Sequence, residues 1–366
     1  MSRTGAEGLE PLAFAVDEIG DESLQALVRA APRAGLEVAT GEGKAVIAGV
    51  RARLAAFVAR PWQLPAPLVE LAHALGGALP GEDPASWRTA AGGVDVTRAV
   101  LVGILNVTPD SFSDGGRYPD VEAVRARAGE LVASGATILD VGGESTRPGR
   151  PVPVSADEEH ARTIPVIEAL RRDFPAVLIS IDTVKSSVAR AALDAGAAIV
   201  NDVSGGRADP DLLSLAAEKG AGLVLMHSRG AVTDMASYDY TDYPRGLTAT
   251  VVAELGVAID RAIAAGVSAD QIVVDPGLGF GKKADQSLEL CRHLGALRTF
   301  GRPILVGPSR KRFIGQVLDR PVEERDVGTA AVCAHAWQSG ARLFRIHEPA
   351  VTRDVLAMIA ALEGQL

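Results

Sequence analysis

From Val100 onward the chain repeats one pattern eight times, an apolar run that ends abruptly in a polar residue. The runs lie in LVGILN, TILDVGGES, LISIDT, AIVND, LVLMHS, IVVDPG, ILVGPSR and LFRIH. Their polar endings fall at Asn106, Asp140, Asp182, Asn201, His227, Asp275, Ser309 and Arg345/His347. Nearly unbroken Val/Ile/Leu runs of this length read as strands buried on both faces of a parallel sheet, because a sheet wetted on one face would alternate apolar with polar. Between the runs, helical periodicity predicts helices over Val121–Ser134, Ala156–Arg172, Ser186–Ala195, Pro210–Lys219, Thr248–Ala265, Gln286–Leu294, Asp326–Ser339 and Val351–Leu362. Gly135, Gly196, Gly220, Gly266 and Gly340 follow five of them as C-terminal stop signals.

Eight strand–helix units in about 265 residues match an α/β protein of the (β/α)8 TIM-barrel type, expected over residues 86–366. A doubly wound open sheet would need a Gly-rich dinucleotide turn after the first strand, and none follows it. Polar groups at the ends of barrel strands converge on one mouth, which makes those endings the candidate site.

Residues 1–85 read as a small N-terminal α/β appendage. Strands are expected at Leu12–Val16 and Ala45–Val50, and helices at Asp21–Ala31, Arg51–Ala59 and Pro67–Leu75. The Gly/Pro/Asp-rich stretch Gly76–Pro84 reads as a linker. The appendage carries no recognisable chemical motif, so a packing or oligomer-contact role is expected of it. Trp87–Thr97 reads as a short hairpin with Gly92-Gly93 at its turn, placed to plug the N-terminal end of the barrel.

Composition narrows the function without redirecting it. Hydrophobic residues make up 47% and charged residues 23% of the chain, as in a soluble globular protein. A net charge of −9 argues against nucleic-acid partners, which need a basic footprint. No apolar stretch is long enough to span a membrane, and the first residues lack an export signal, so a cytoplasmic location is expected. Cys291 and Cys333 have no CxxC partner and read as small buried helix residues.

Two loops concentrate chemistry. The first strand runs into GILNVTPDSFSDGGRY and the second into DVGGESTRPGRPVPV. Their length and their Gly, Ser and Asp content are those of binding loops on a rigid scaffold. In the second, Gly142-Gly143 allows close backbone approach, and Thr146 with Arg147 offers a hydroxyl and a guanidinium to an anion.

Taken in order with ISIDTVKSSVARAALDAGAAIVND, LVLMH, VVDPGLGFGK, VGPSRKRFIG and FRIH, these strings resemble dihydropteroate synthase over about residues 86–362. The resemblance implies a barrel that joins 6-hydroxymethyl-7,8-dihydropterin diphosphate to 4-aminobenzoate. The products would be diphosphate and 7,8-dihydropteroate, within folate biosynthesis. It gives the pterin to Asp182, Asn201 and Asp275, with Lys311 on the ring carbonyl side and Met226 and Phe280 packing around the ring. The chemistry agrees: a pterin presents a guanidine-like edge of adjacent N–H donors that carboxylate and amide acceptors can read.

By the same resemblance Asn106, Thr146, Arg147, Arg345 and His347 hold the diphosphate, and Asn106 is the ligand of a magnesium ion. Phe112, Ser113, Asp114, Pro148 and Phe280 would build the 4-aminobenzoate pocket, which sulfonamides imitate. Asp182, Lys311, Arg345, His347 and Arg147 are the expected catalytic set, the reaction is expected to be SN1-like, and the family commonly forms homodimers.

Each residue also has a plainer role. Asp182 could cap a helix, Arg345 could form a salt bridge inside the barrel, and His347 and His227 could be strand-end hydrogen-bonders. Phe112 could simply pack its loop, and Arg310 and Arg312 are expected to be structural. The family usually has a small aliphatic residue where Pro308 stands, so the backbone path to Lys311 is open to alteration. Rival functions are a methyltetrahydrofolate–corrinoid methyltransferase, which keeps the Asp/Asn/Asp set without a diphosphate grip, and an inactive scaffold barrel.

Overall fold

In a computed structural model of the chain, the described residues are 11–17, 19–41, 44–58, 63–65, 68, 71–72, 75, 84–108, 120–144, 154–235, 237–244 and 246–364. Eight parallel strands close on themselves: β6 (Val100–Asn106), β7 (Ile138–Gly142), β8 (Leu178–Asp182), β9 (Ile199–Asp202), β10 (Gly222–Met226), β11 (Ile272–Asp275), β12 (Ile304–Val306) and β13 (Ala341–Ile346). The last pairs with the first, so the ring has no open edge and the doubly wound alternative is excluded. The expected helices all form, at 121–133, 156–173, 186–194, 211–219, 247–264, 284–292, 326–338 and 349–362. One helix, Arg312–Leu318, was not anticipated.

Successive residues of each strand enter two different dry environments. Leu101, Leu139, Ile179, Val200 and Leu223 pack outward under the helices. Val102, Ile138, Ile199, Val224 and Leu305 turn into the bore. Both faces are therefore apolar and the strands do not alternate. Two residues further along β7, β8, β9, β11 and β13, the inward positions change from Ile138, Leu178, Ile199, Val273 and Leu343 to Asp140, Ser180, Asn201, Asp275 and Arg345. Period-two geometry thus stacks a polar layer on an apolar one.

The apolar layer is closed from below by a hairpin of β4 (Ser86–Thr89) and β5 (Gly92–Asp95). Trp87 is 1% exposed, packs among the bore residues, and donates through Nε1 to the Gln271 carbonyl at 2.7 Å. A Cβ at Gly222 would stand 2.7 Å from the Trp87 ring, so the strand needs glycine there. The expected plug is present, with one correction. Ala90-Ala91 form the turn, and Gly92 and Gly93 open the second strand, Gly92 pairing with Thr89.

The appendage has its own antiparallel sheet, β1 (Pro11–Asp17), β3 (Lys44–Val50) and β2 (Glu37–Gly41) in that order, with helices at Asp21–Ala30 and Arg51–Val58. The short edge strand β2 was not foreseen. Leu27, Ile47, Leu54 and Leu68 centre a separate core. Leu68, Leu71, Ala72 and Leu75 are helical, as the periodicity predicts, while the rest of Pro67–Leu75 and most of the linker lie outside the described residues. Among the described residues, hydrogen bonds from Thr299 Oγ1 to the Val58 carbonyl (2.6 Å) and from Gln63 to Asp260 (3.4 Å) tie this unit to the barrel. Cys291 and Cys333 are free and buried in helices, as expected. No helix among the described residues is long and apolar enough to cross a membrane.

Candidate active site

The polar layer opens into a cavity of about 420 Å³. Asn106, Asp182, Asn201, Met226, Asp275, Phe280, Lys311, Arg345 and His347 all line it, so every predicted site residue that lies in the described part is brought together. Phe112, Ser113, Asp114, Thr146, Arg147 and Pro148 lie outside the described residues. The segments that carry them depart from beside Asn106 and Glu144, which both line the cavity.

Three of the predicted residues are linked through one that sequence reasoning left without a role. Asp140 stands inside β7, two residues before its end, and is 1% exposed. Its Oδ2 accepts from Asn201 Nδ2 at 3.0 Å and from Arg345 Nε at 2.6 Å. Arg345 Nη2 then donates to Asp182 Oδ2 at 2.7 Å. The plainer expectation for Arg345, a salt bridge within the barrel, is therefore true of this structure. It is not an alternative to lining the cavity, because the guanidinium does both.

Burial and the neighbouring Asp140, Glu159 and Asp202 carboxylates push Asp182 up to about 7, against the downward pull of Arg345. Asp275 is also raised by burial. The Gly277 amide, which donates to its Oδ1 at 2.7 Å, opposes that shift along with Lys311 and Lys282.

Lys311 reaches the cavity from the turn after β12. Its Nζ donates to the Leu278 carbonyl and stands 4.2 Å from the centre of the Phe280 ring. Gly279, at φ +78°, lets the lysine stem lie across it, since a Cβ there would come within 3.2 Å of Lys311 Cδ. Burial lowers Lys311 to about 8, while Asp275 draws it back up. With Pro308 in the turn, Lys311 lines the cavity. The Pro308 carbonyl accepts the Lys311 amide at 3.1 Å, and Arg310 turns the chain at φ 55°. Arg310 pairs with Asp326 at 2.7 Å, as a structural role predicts, but it also lines the cavity. Arg312 stacks 4.3 Å from the Tyr238 ring centre and lines the cavity rim, a position closer to the site than expected.

On the other side, Ser309 Oγ accepts the His347 amide (3.0 Å) and lies 2.8 Å from His347 Nδ1. A hydroxyl that donates to Nδ1 leaves the hydrogen on Nε2, suited to an anionic acceptor. His347 and Arg345 share the cavity, as their two-residue spacing requires. Asn106 shares a small-residue niche with Asp182. The site of a Cβ on Gly142 lies 3.5 Å from Asn106 Oδ1 and 3.6 Å from Asp182 Oδ2. Among the described residues no group of three or more His, Cys, Asp or Glu side chains is spaced to hold a metal.

His227 is buried, with Nε2 2.8 Å from Glu254 Oε2, the strand-end hydrogen bond expected of it. Lys282 was not singled out at all. It follows a glycine-rich turn, and only the fold reveals that its ammonium is buried.

The family model for pterin binding enzymes matches residues 102–347. The chain is 44% identical to the dihydropteroate synthase of Synechocystis sp. over 266 residues, 72% of this chain and 90% of that relative. It is 43% identical to the inactive dihydropteroate synthase 2 of Mycobacterium leprae over 273 residues, 74% and 93% of the two chains. The solved structure of Xanthomonas albilineans dihydropteroate synthase with 4-aminobenzoic acid superposes with a TM-score of 0.70 at 41% identity, covering 76% of this chain and 98% of that one. The family match, these identities and the strand-end set together establish that the chain belongs to the dihydropteroate synthase family of pterin-binding enzymes.

Proposed function

We propose that this chain is a transferase that condenses 6-hydroxymethyl-7,8-dihydropterin diphosphate with 4-aminobenzoate, giving 7,8-dihydropteroate and diphosphate for folate biosynthesis. Because an inactive relative is as similar as active ones, identity does not decide activity. The observation that carries the reading is one cavity that holds Asp182, Asn201, Asp275 and Lys311 beside Arg345 and His347. A corrinoid methyltransferase has no use for the last two.

The pterin edge is read by acceptors on β8, β9 and β11, with Lys311 donating to the ring carbonyl side. Arg345 and His347, with Thr146 and Arg147, take the diphosphate oxygens. Departure of diphosphate from the hydroxymethyl carbon leaves positive charge on an electron-rich ring, so an SN1-like course is favoured. Asp182, ionised, stands where that charge develops. The aromatic amine of 4-aminobenzoate then attacks the carbon and loses a proton. Phe112, Ser113, Asp114 and Pro148 with Phe280 form the amine pocket, and sulfonamides compete there.

Asn106 would hold magnesium, and its oxygen in the niche beside Gly142 fits a hard cation that takes most of its ligands from phosphate oxygens and water. When bound, the ion neutralises charge on the diphosphate. We read the chain as a cytoplasmic homodimer, and exposed Val317, Val327, Val351 and Met358 on the last three α-helices support the homodimer. The test is a diphosphate-release assay with both substrates and magnesium. Folded protein that releases none refutes the proposal.

A further inference from the structure

Behind the pterin-reading turn lies a charged chain with no assigned part in the reaction. Lys282 Nζ donates to the carbonyls of Gly277 (3.0 Å) and Phe280 (2.9 Å) and stands 2.9 Å from His227 Nδ1. His227 reaches Glu254 through Nε2, and Glu254 also accepts from Arg229 Nε at 3.1 Å. An ammonium only donates, so His227 Nδ1 is the acceptor and Nε2 carries the hydrogen given to Glu254. Burial, reinforced by the Lys282 charge, holds His227 down to about 3, which agrees with a neutral ring.

The same turn holds two of the residues proposed to read the pterin, Asp275 and Lys311. Lys282 takes the carbonyls of Gly277 and Phe280, and Lys311 takes that of Leu278 between them. The Gly277 amide aims the Asp275 carboxylate, and the Asp275 carbonyl accepts the His227 amide at 2.8 Å. Gly277, at φ +65°, packs so tightly that a Cβ would stand 2.0 Å from the His227 carbonyl oxygen.

We propose that Lys282 is a positioning residue for pterin recognition: it locks the Gly277–Phe280 turn so that Asp275 is aimed and Phe280 lies beneath Lys311. This rests on the pterin reading of the cavity. Burial, joined by the charges of Lys311 and Arg229, lowers Lys282 to about 7, while Asp275 and Glu254 draw it back up, so the donating ammonium is the form present below that pH. A lysine that merely stabilised the fold would affect all ligands alike.

The experiment titrates full-length wild type and Lys282→Met separately with 6-hydroxymethylpterin and with inorganic diphosphate, after circular dichroism confirms folding. Loss of charge-assisted hydrogen bonds predicts a pterin Kd raised by about tenfold or more, with diphosphate affinity changed by less than about twofold. A pterin Kd within about threefold of wild type, or equal losses for both ligands, overturns the proposal. If Lys282→Met does not fold, nitrogen NMR of His227 in the wild-type protein decides. A neutral Nε2–H ring supports donation from Lys282, and an Nδ1–H or charged ring overturns it. Wild-type protein that binds no pterin overturns the pterin reading itself, and the ligand-free His227 spectrum separates that failure from a failure of the Lys282 contact.

Discussion

Replacing Arg345 with methionine removes the guanidinium that Asp140 and Asp182 share, and the cost can be worked from their burial. The Asp140 side chain is 1% exposed and that of Asp182 15%. Taking one partner from a buried ion pair costs about 3–5 kcal/mol, set against about 5–15 kcal/mol of total stability. The variant should therefore fold but be measurably weaker. Its deficit should also depend on pH. Asp182 stands near 7 with Arg345 pulling it down, so without Arg345 its folded pKa climbs further above the ordinary 3.8. A carboxyl with a raised folded pKa gives stability that is complete below the unfolded value and lost as pH rises through the folded one. The gap between variant and wild type should thus be widest near about pH 9 and shrink toward about pH 5.5. Urea unfolding of both proteins at the two pH values measures it. A gap that is constant, or that widens in acid, refutes the reasoning. Turnover should fall by about 10²–10³-fold, as for loss of a donor to developing charge.

Four further outcomes are expected. In wild type, kcat/KM should decline as pH falls through about 7, where Asp182 takes up a proton, and Asp140→Asn should move that limb to lower pH by removing a like charge; an unmoved limb counts against Asp182 as the group titrating. Lys311→Met should raise the pterin KM by about 10–100-fold, the loss of a charged hydrogen bond, and normal steady-state kinetics would remove Lys311 from the site. Trp87→Ala should cost about 3–5 kcal/mol in denaturant unfolding with little change in kcat, since the plug touches no substrate; a large fall in kcat with stability intact would contradict this. Chelating magnesium should stop diphosphate release, and Asn106→Ala should raise the magnesium concentration needed for half-maximal rate; an unchanged requirement would exclude Asn106 as the ligand.

The barrel was legible because the physics that buries both faces of a parallel strand leaves a mark in every run, and because glycine stops most of the helices. Features without such a mark were missed. Glu37–Gly41 is a short edge strand, and Arg312–Leu318 is a helix of seven residues whose first four read as the end of the VGPSRKRFIG string. The chemistry was legible as a set of residues, but depth was not. Asp140 looked like one more strand ending, and only the register, which places it opposite Ser180, shows that it lies below the mouth as the anchor of Asn201 and Arg345. Lys282 escaped for the same reason. A lysine beside a second lysine after glycines reads as solvated, and burial is a property of the tertiary path.

The Trp87 hairpin has a kinetic consequence. With the far end of the bore sealed, the cavity is a blind pit, and whatever enters must leave by the way it came. Asn201 and Asp275 are almost fully buried on strand ends, while Phe280 and Lys311 come from the loops above. On the proposed function, a ring read at that depth would be seated before its reaction partner, so the two substrates should add in compulsory order. An amine analogue should then bind second, and inhibition by such analogues should deepen once the pterin is in place.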